Sequence, residues 1–279
     1  MKPYYTANEA MKKLELPNST FHYLVRKGDI PKLVLPLRKQ AVYPKQEIDA
    51  IVDRKKQMLA DIETSPGRLA FSIPTREEIE ELIEMEHSCY HEETLIPIEA
   101  VLERLKYNPE NIHILKDTKT NEVLGSITMS VLNDDTLKNL IDLEIDETQI
   151  KLEDYKPYTQ GQSQDCYVVS IIAKPAIEEK YYASRLLTAI ADYMISLLEQ
   201  GITFRRIYTV ATTQKGEELA KKLGFTLIKK GTNQHEDFRH SYVLNLEEPS
   251  RSKLVKKYIQ GRKNIARRQK RHSQTANTK

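Results

Sequence analysis

Residues 166–201, CYVVSIIAKPAIEEKYYASRLLTAIADYMISLLEQG, constrain this chain more than any other stretch. Positions 166–173 are almost wholly apolar and stop before Pro175, the pattern of a buried rather than a half-exposed strand. After a short loop, Leu187, Ile190, Ala191, Met194, Ile195 and Leu198 recur at the i, i+3, i+4 spacing of a helix with one apolar face, and Gly201 offers it a stop. The order repeats at shorter length: 207–211 reads as a strand, 214–223 as a helix closed by Gly224, and 225–228 as another strand. Two buried strand-to-helix junctions in succession imply a layered α/β domain. The first junction is also the natural seat for an anion or cofactor, because a helix start leaves N–H groups unpaired and directs the positive end of its dipole outward.

Charge divides the chain into three parts. Forty-three basic and 40 acidic residues leave a net charge of only +3 over 279 residues. Yet residues 1–68 carry 13 basic and 8 acidic side chains, residues 69–250 carry 19 and 32, and residues 251–279 carry 11 and none. An acidic middle between basic ends suggests a modular protein whose ends meet a polyanion; the bland alternative is that the ends only aid solubility. Cys89 and Cys166 are too few for a disulfide framework and fit a reducing cytosol. With no run of 18 apolar residues and no signal-peptide core, the expectation is a soluble cytoplasmic protein without stable membrane association.

Residues 1–60 read as a small helical module. Thr6 with Glu9 has capping-box spacing, and Ala7, Ala10, Met11 and Leu14 form a short apolar face. Leu16-Pro17-Asn18 breaks that helix. A second follows with Phe21, Leu24 and Val25 inward, Gly28 as its stop, and Ser19, Thr20, His22, Tyr23, Arg26 and Lys27 on its other face. Two short helices about a tight break suit a helix-turn-helix, whose second helix can enter a major groove, although small three-helix modules also bind protein. Residues 31–36 and 41–43 read as a hairpin with the basic tip Arg38-Lys39, and Pro44 opens a third helix with Ile48, Ile51 and Val52 inward. The segments YYTANEAMKKLELPNSTFHYLVRKGDIP and AVYPKQEIDAIV resemble the winged helix-turn-helix of the MerR and phage-excisionase families. That resemblance places Ser19, Thr20, His22, Tyr23 and Arg26 on a DNA-reading helix and Arg38, Lys39, Tyr43 and Lys45 about the wing. It departs in the wing, where Leu35-Pro36-Leu37 stand in place of glycine and further arginine. Thr64-Ser65-Pro66-Gly67 marks a hinge, so that 61–68 is expected to be a linker.

From 69 to 250 the pattern is strand, two helices, three strands, long helix, strand, helix and two strands. Thr75 with Glu78 repeats the capping-box spacing. Gly125 sits inside a strand where a bulge or a close backbone approach is expected. His87 and His91 are four apart on a helix, but the pattern reads as surface histidines rather than a metal site. Residues 134–164 are acidic and broken, with short helices near 136–143 and 147–152, a surface insertion of the kind that forms lids.

This order is similar to the acetyltransferase fold of the GNAT superfamily, a mixed-sheet α/β fold. The resemblance implies that the strand at 166–173 splays from its neighbour at 207–211, that the wedge takes the pantetheine arm of acetyl-CoA or another acyl-CoA, and that the pyrophosphate lies where the long helix begins. The implied cofactor-binding residues are Ile172, Ala173, Lys180, Tyr181, Tyr182, Ala183, Ser184, Arg185 and Thr213. The superfamily's phosphate loop, R/Q-x-x-G-x-G/A, is altered here at two of three landmarks: Glu178 stands at the basic position and Tyr181 at the first glycine, while Ala183 fits the last. The tyrosine that often protonates the leaving thiolate aligns with Ala220, leaving Tyr208 and Tyr182 as the stand-in acids. Thr213 has a second reading as a helix cap.

Residues 251–279 alternate Leu254, Val255, Tyr258 and Ile259 with lysine and arginine, a basic amphipathic helix giving way to disorder from Gln269. Eleven uncompensated charges would bind nucleic acid in a salt-dependent manner, or fold back on the acidic domain. Together these features lead to the expectation of a bacterial DNA-binding regulator, a homodimer on double-stranded DNA, with an acetyltransferase-like domain that binds acyl-CoA. The alternatives are an N-acetyltransferase for a protein or small amine with the front module as a targeting domain, and a mobile-element accessory protein whose large domain is inactive.

Overall fold

Local capping and apolar spacing produce the first elements of the chain, as the sequence predicts. The computed structural model describes residues 2–36, 40–89, 96–231 and 239–276, without the side chains of 88–89 and 269–276. Strand β1 (Tyr4–Tyr5) leads into α1 (Ala7–Leu14), where the Thr6 hydroxyl accepts from the Glu9 N–H at 3.3 Å and the Glu9 carboxylate accepts from the Thr6 N–H at 2.7 Å. Helix α2 (Asn18–Lys27) ends at Gly28, whose φ of 93° suits a residue without Cβ. Leu33 and Val42 pair in an isolated antiparallel bridge, and β2 (Tyr43–Pro44) returns to pair with β1. Ala10, Leu14, Phe21, Leu24, Ile48 and Ile51 form a small core of their own.

Helix α3 (Lys45–Thr64) belongs to two cores. Its first turns supply Ile48 and Ile51 to the small core, whereas Met58, Leu59 and Ile62 pack on the large one. The expected 61–68 linker is therefore shorter than the sequence suggests: helix persists to Thr64 because Ile62 is buried, and the break falls at 65–68. Arg68 then anchors the chain through ion pairs with Asp61 and, at 2.9 Å, with Asp117.

The large domain holds β3 (Leu69–Ser72), α4 (Arg76–Cys89), α5 (Ile98–Tyr107), β4 (Ile112–Asp117), β5 (Glu122–Leu132), α6 (Asp134–Ile141), β6 (Tyr155–Lys156) and β7 (Ser163–Ala173). It continues through α7 (Glu179–Glu199), β8 (Thr203–Ala211), α8 (Gln214–Leu223), β9 (Thr226–Lys230), β10 (His240–Asn245) and α9 (Lys253–Ala276). The strands run β3-β4-β5-β7-β8-β10-β9 across one sheet, with β6 beside β5. Every neighbouring pair is antiparallel except β7 with β8. This is the mixed α/β sheet and the element order that the acetyltransferase resemblance implies. One departure is the expected helix at 147–152, which forms two single 3-10 turns.

Leu186, Ile190, Met194 and Leu197 of α7 pack with Leu124, Ile127, Met129 and Val168 of the sheet. Burying each such side chain is worth about 1.5–3 kcal/mol. Helix α9 lies over the same core: Val255 and Tyr258 are buried, and the Tyr258 hydroxyl accepts from the Phe204 N–H at 2.7 Å. The expectation of disorder from Gln269 is corrected here, since the helix continues to Ala276. Docking at Val255 and Tyr258 gives the basic sequence tertiary support that a free helix lacks.

Candidate functional site

Strand β7 is shared between two neighbours that part company. Its parallel pairing with β8 reaches Val168 opposite Thr209 and stops, although β7 continues to Ala173 and β8 to Ala211. Over that stretch β7 stays paired with β5, Ser126 opposite Ile172 and Gly125 opposite Ala173. Gly125 permits this approach: a Cβ there would stand 2.7 Å from the Ile172 carbonyl oxygen. The sheet therefore splits between 169–173 and 210–213.

A cavity of about 370 Å³ opens at the split. Val169, Ser170 and Ile171 line it from β7, Thr212 and Thr213 from the end of β8, and Gly216 and Ala220 from α8. Apolar side chains of α4 and α5, among them Leu82, Val101 and Leu105, close the far wall. The lining mixes apolar walls with polar and charged groups, among them Arg104, Asp146, Glu147 and Arg239, a combination that suits a small-molecule site.

Glu86 of α4 faces this cavity and has no counterpart among the residues the sequence singles out. Desolvation pushes its carboxyl up to about 7, while a hydrogen bond with the Ser170 hydroxyl pulls the other way. A carboxyl poised there can take a proton near neutral pH, as a general base must. Asn111 Oδ1, Ser130 Oγ and Arg239 Nε, also on cavity-lining residues, are buried with no hydrogen-bond partner. Unmet polar atoms around an open volume are groups that a ligand can satisfy.

The helix starts meet at the outer end of the split. The Lys215 ammonium in the first turn of α8 lies 3.0 Å from the carboxylate of Glu179, the first residue of α7. Of the first-turn amides of α7, that of Glu179 already donates to Ala176 O at 3.2 Å and that of Tyr181 to Glu178 O at 2.8 Å. Burial raises the Glu178 carboxyl above its usual range. As it stands, this end fits a pyrophosphate poorly, whereas the open wedge fits a thioester arm.

Among the expected cofactor-binding residues, Thr213 alone lines the cavity. It also caps α8, accepting from the Gly216 N–H at 3.0 Å. Ile172 is packed among Leu82, Met85 and Ile112, and Ala173 and Ala183 are half-buried. Lys180, Ser184 and Arg185 are exposed, and Tyr181 lies half-buried beside Tyr182, their rings 6.2 Å apart. The two expected acids are displaced. Tyr182 is buried with Leu186 and Ile190, Tyr208 packs with Tyr155 and Tyr167, and neither lines the cavity. Burial raises both phenols above their ordinary range.

On the front module, Ser19, His22, Arg26 and Lys27 are exposed, Tyr23 is half-buried, and the Lys45 ammonium sits over the Tyr5 ring at 5.1 Å. Thr20 is only 2% exposed, hydrogen-bonded to Glu179 and, at 2.9 Å, to Lys215. Tyr43 is buried against Phe21, their centroids 5.0 Å apart, and serves the small core instead of a wing surface. Arg38 and Lys39 lie outside the described residues, as does His91 of the histidine pair.

No family model and no curated protein matches the chain. Among solved structures, Ard1 from Thermoplasma volcanium is 11% identical over 64% of this chain and 97% of its own, with a TM-score of 0.44. The NatC complex bound to Gag peptide and CoA gives 13%, 64%, 98% and 0.44 in the same order. Arabidopsis thaliana NAA60 in complex with acetyl-CoA gives 13%, 64%, 99% and 0.43. Identities and scores this low decide nothing about chemistry, which has to come from the residues of this chain. No helix among the described residues is long and apolar enough to cross a membrane.

Proposed function

We propose that the large domain is an N-acyltransferase that takes the acyl thioester of a coenzyme A derivative into the split between β7 and β8 and passes the acyl group to an amine beside Glu86. The carrying observation is the continuous cavity from Thr213, at the mouth of the split, to Glu86 on α4. The thioester supplies an activated acyl carbon. The amine nitrogen forms a bond to that carbon as the carbon–sulfur bond breaks. Glu86 accepts the proton the nitrogen loses, and the departing thiolate takes one from solvent. Among this chain's own groups, Ser170 orients the carboxyl, the apolar side chains of α4 and α5 exclude water, and Asn111 Oδ1 offers an acceptor to a second amine hydrogen. Thiol release from acetyl-CoA with a panel of small amines and peptides tests this reading. Amine-dependent release that Glu86→Gln lowers by about 10²–10⁴ is expected, and release unaffected by that substitution refutes it.

A second reading concerns the front module. The exposed Ser19, His22, Arg26 and Lys27 on α2 form a polar and basic strip, and they favour contact with double-stranded DNA. In a gel shift of the full chain against a randomised duplex pool, Arg26→Ala with Lys27→Ala should remove any selected sequence preference. Binding that persists unchanged assigns the interaction to the basic α9 instead.

A further inference from the structure

The coenzyme reading places phosphates at the start of α7, and the front module stands there. Thr20 of α2 is buried between the two helix starts, bonded to the Glu179 carboxylate and to the Lys215 ammonium. Ile177, in the loop entering α7, packs against the small core. Lys215 is a cation well placed for an anionic ligand at the split, yet its bonds go to Thr20 and Glu179. We propose that the front helical module is a displaceable cover over the phosphate end of the cleft, so that docking of α2 and binding of the coenzyme's phosphates exclude one another.

The inference rests on the acyltransferase reading of the split but concerns only its outer end. At the cleft itself the cover is held by few polar groups, while α3 tethers its module to the large core. Lys215 is half-exposed, and an ion pair in that setting contributes little. Phe21, Leu24 and Val25 tie α2 to the small core, so α2 leaves the cleft together with its module and not by unfolding from it. When it leaves, Glu179 and Lys215 lose their shared partner, and Lys215 becomes available to a phosphate. A ligand that binds only the uncovered state shifts the population toward it, and the covered fraction weakens that ligand's apparent affinity. A thioester without phosphates has no stake in the equilibrium.

The test compares acetyl-CoA with acetyl-pantetheine, which carries the thioester and no phosphate, by titration calorimetry on the full chain. Thr20→Trp is too bulky for the buried position and adds no charge. The chain has no tryptophan of its own, so the introduced indole reports by its emission whether α2 has left. Expected is a solvent-exposed emission maximum and about tenfold tighter acetyl-CoA binding, with acetyl-pantetheine changed less than about twofold. A second protein carries Thr20→Cys and Lys215→Cys joined by a short bis-maleimide in a Cys89→Ser background, Cys166 being fully buried. Against the same double-cysteine protein left unbridged, which also lacks the Lys215 ammonium, it should bind acetyl-pantetheine equally and acetyl-CoA about tenfold more weakly. Equal acetyl-CoA affinity in parent and Thr20→Trp, and in bridged and unbridged proteins, with acetyl-pantetheine bound, overturns the cover and leaves the acyltransferase reading standing. Failure of every protein to bind either thioester overturns both.

Discussion

At the inner end of the cleft an ionisable carboxyl, unpartnered polar atoms and apolar walls face open space. At the outer end, Thr20 covers the start of α7, Glu178 sets a carboxylate beside it, and first-turn amides are already bonded. The inner end is organised by the sheet and by α4, and it is ready for a substrate as it stands. The outer end is organised by a second module and answers to that module's position. On the proposed reading, one cleft separates the group that handles protons from the contacts that decide when a coenzyme is held.

The widest gap between the two ends should appear on replacing Glu86. Glu86→Gln is expected to lower kcat by about 10²–10⁴ and to remove the acidic limb, near pH 7, of the pH–rate profile. Thioester affinity, measured by calorimetry, should stay within about twofold.

The same substitution should move stability in the opposite direction. Burial pushes the Glu86 carboxyl in the folded chain up to about 7, from an ordinary value of 4.5. Its contribution is thus fully present below the unfolded pKa and is lost as pH rises toward the folded one. Denaturant unfolding of Glu86→Gln at pH 8 should show a gain of about 1–3 kcal/mol over the parent, with little difference at pH 4. A loss at pH 8 would mean that the carboxylate has a buried partner.

The outer end calls for smaller effects. Glu178→Gln removes a like charge from the neighbourhood of the phosphates and should tighten acetyl-CoA by about 1 kcal/mol while leaving acetyl-pantetheine alone. An equal gain for both ligands would place Glu178 on the thioester path instead. Thr213→Ala removes the cap of α8 and should cost roughly 0.5–1 kcal/mol of stability. A larger loss in thioester affinity than in stability would assign Thr213 to the ligand.

Much of the fold was legible in the sequence because its signals are local. The apolar run at 166–173, the helix spacing that follows, the caps at Thr6 and Thr75, and Gly125 all appear where the pattern places them. What was missed depends on groups far apart in the chain. Glu86 is one of many acidic residues along α4, and only the packing of α4 against β7 sets it apart. Tyr182 and Tyr208 looked available because position along the chain does not tell which side of a strand or helix faces a cavity. Thr20 shared the polar face of α2 with His22 and Arg26. Nothing within α2 shows that Glu179, 159 residues away, would bury it.

Helix α3 is a single rod of 20 residues with one end set in each core. At 1.5 Å per residue it spans about 30 Å. Its middle, from Asp53 to Gln57, is mostly exposed and polar, with Lys55 reaching back to the Leu14 carbonyl at 3.1 Å. A rod gripped at both ends turns a small slip at one grip into a tilt at the other. Motion at Thr20 would therefore travel along α3 to Met58, Leu59 and Ile62, coupling the pose of the front module mechanically to the packing beneath α7.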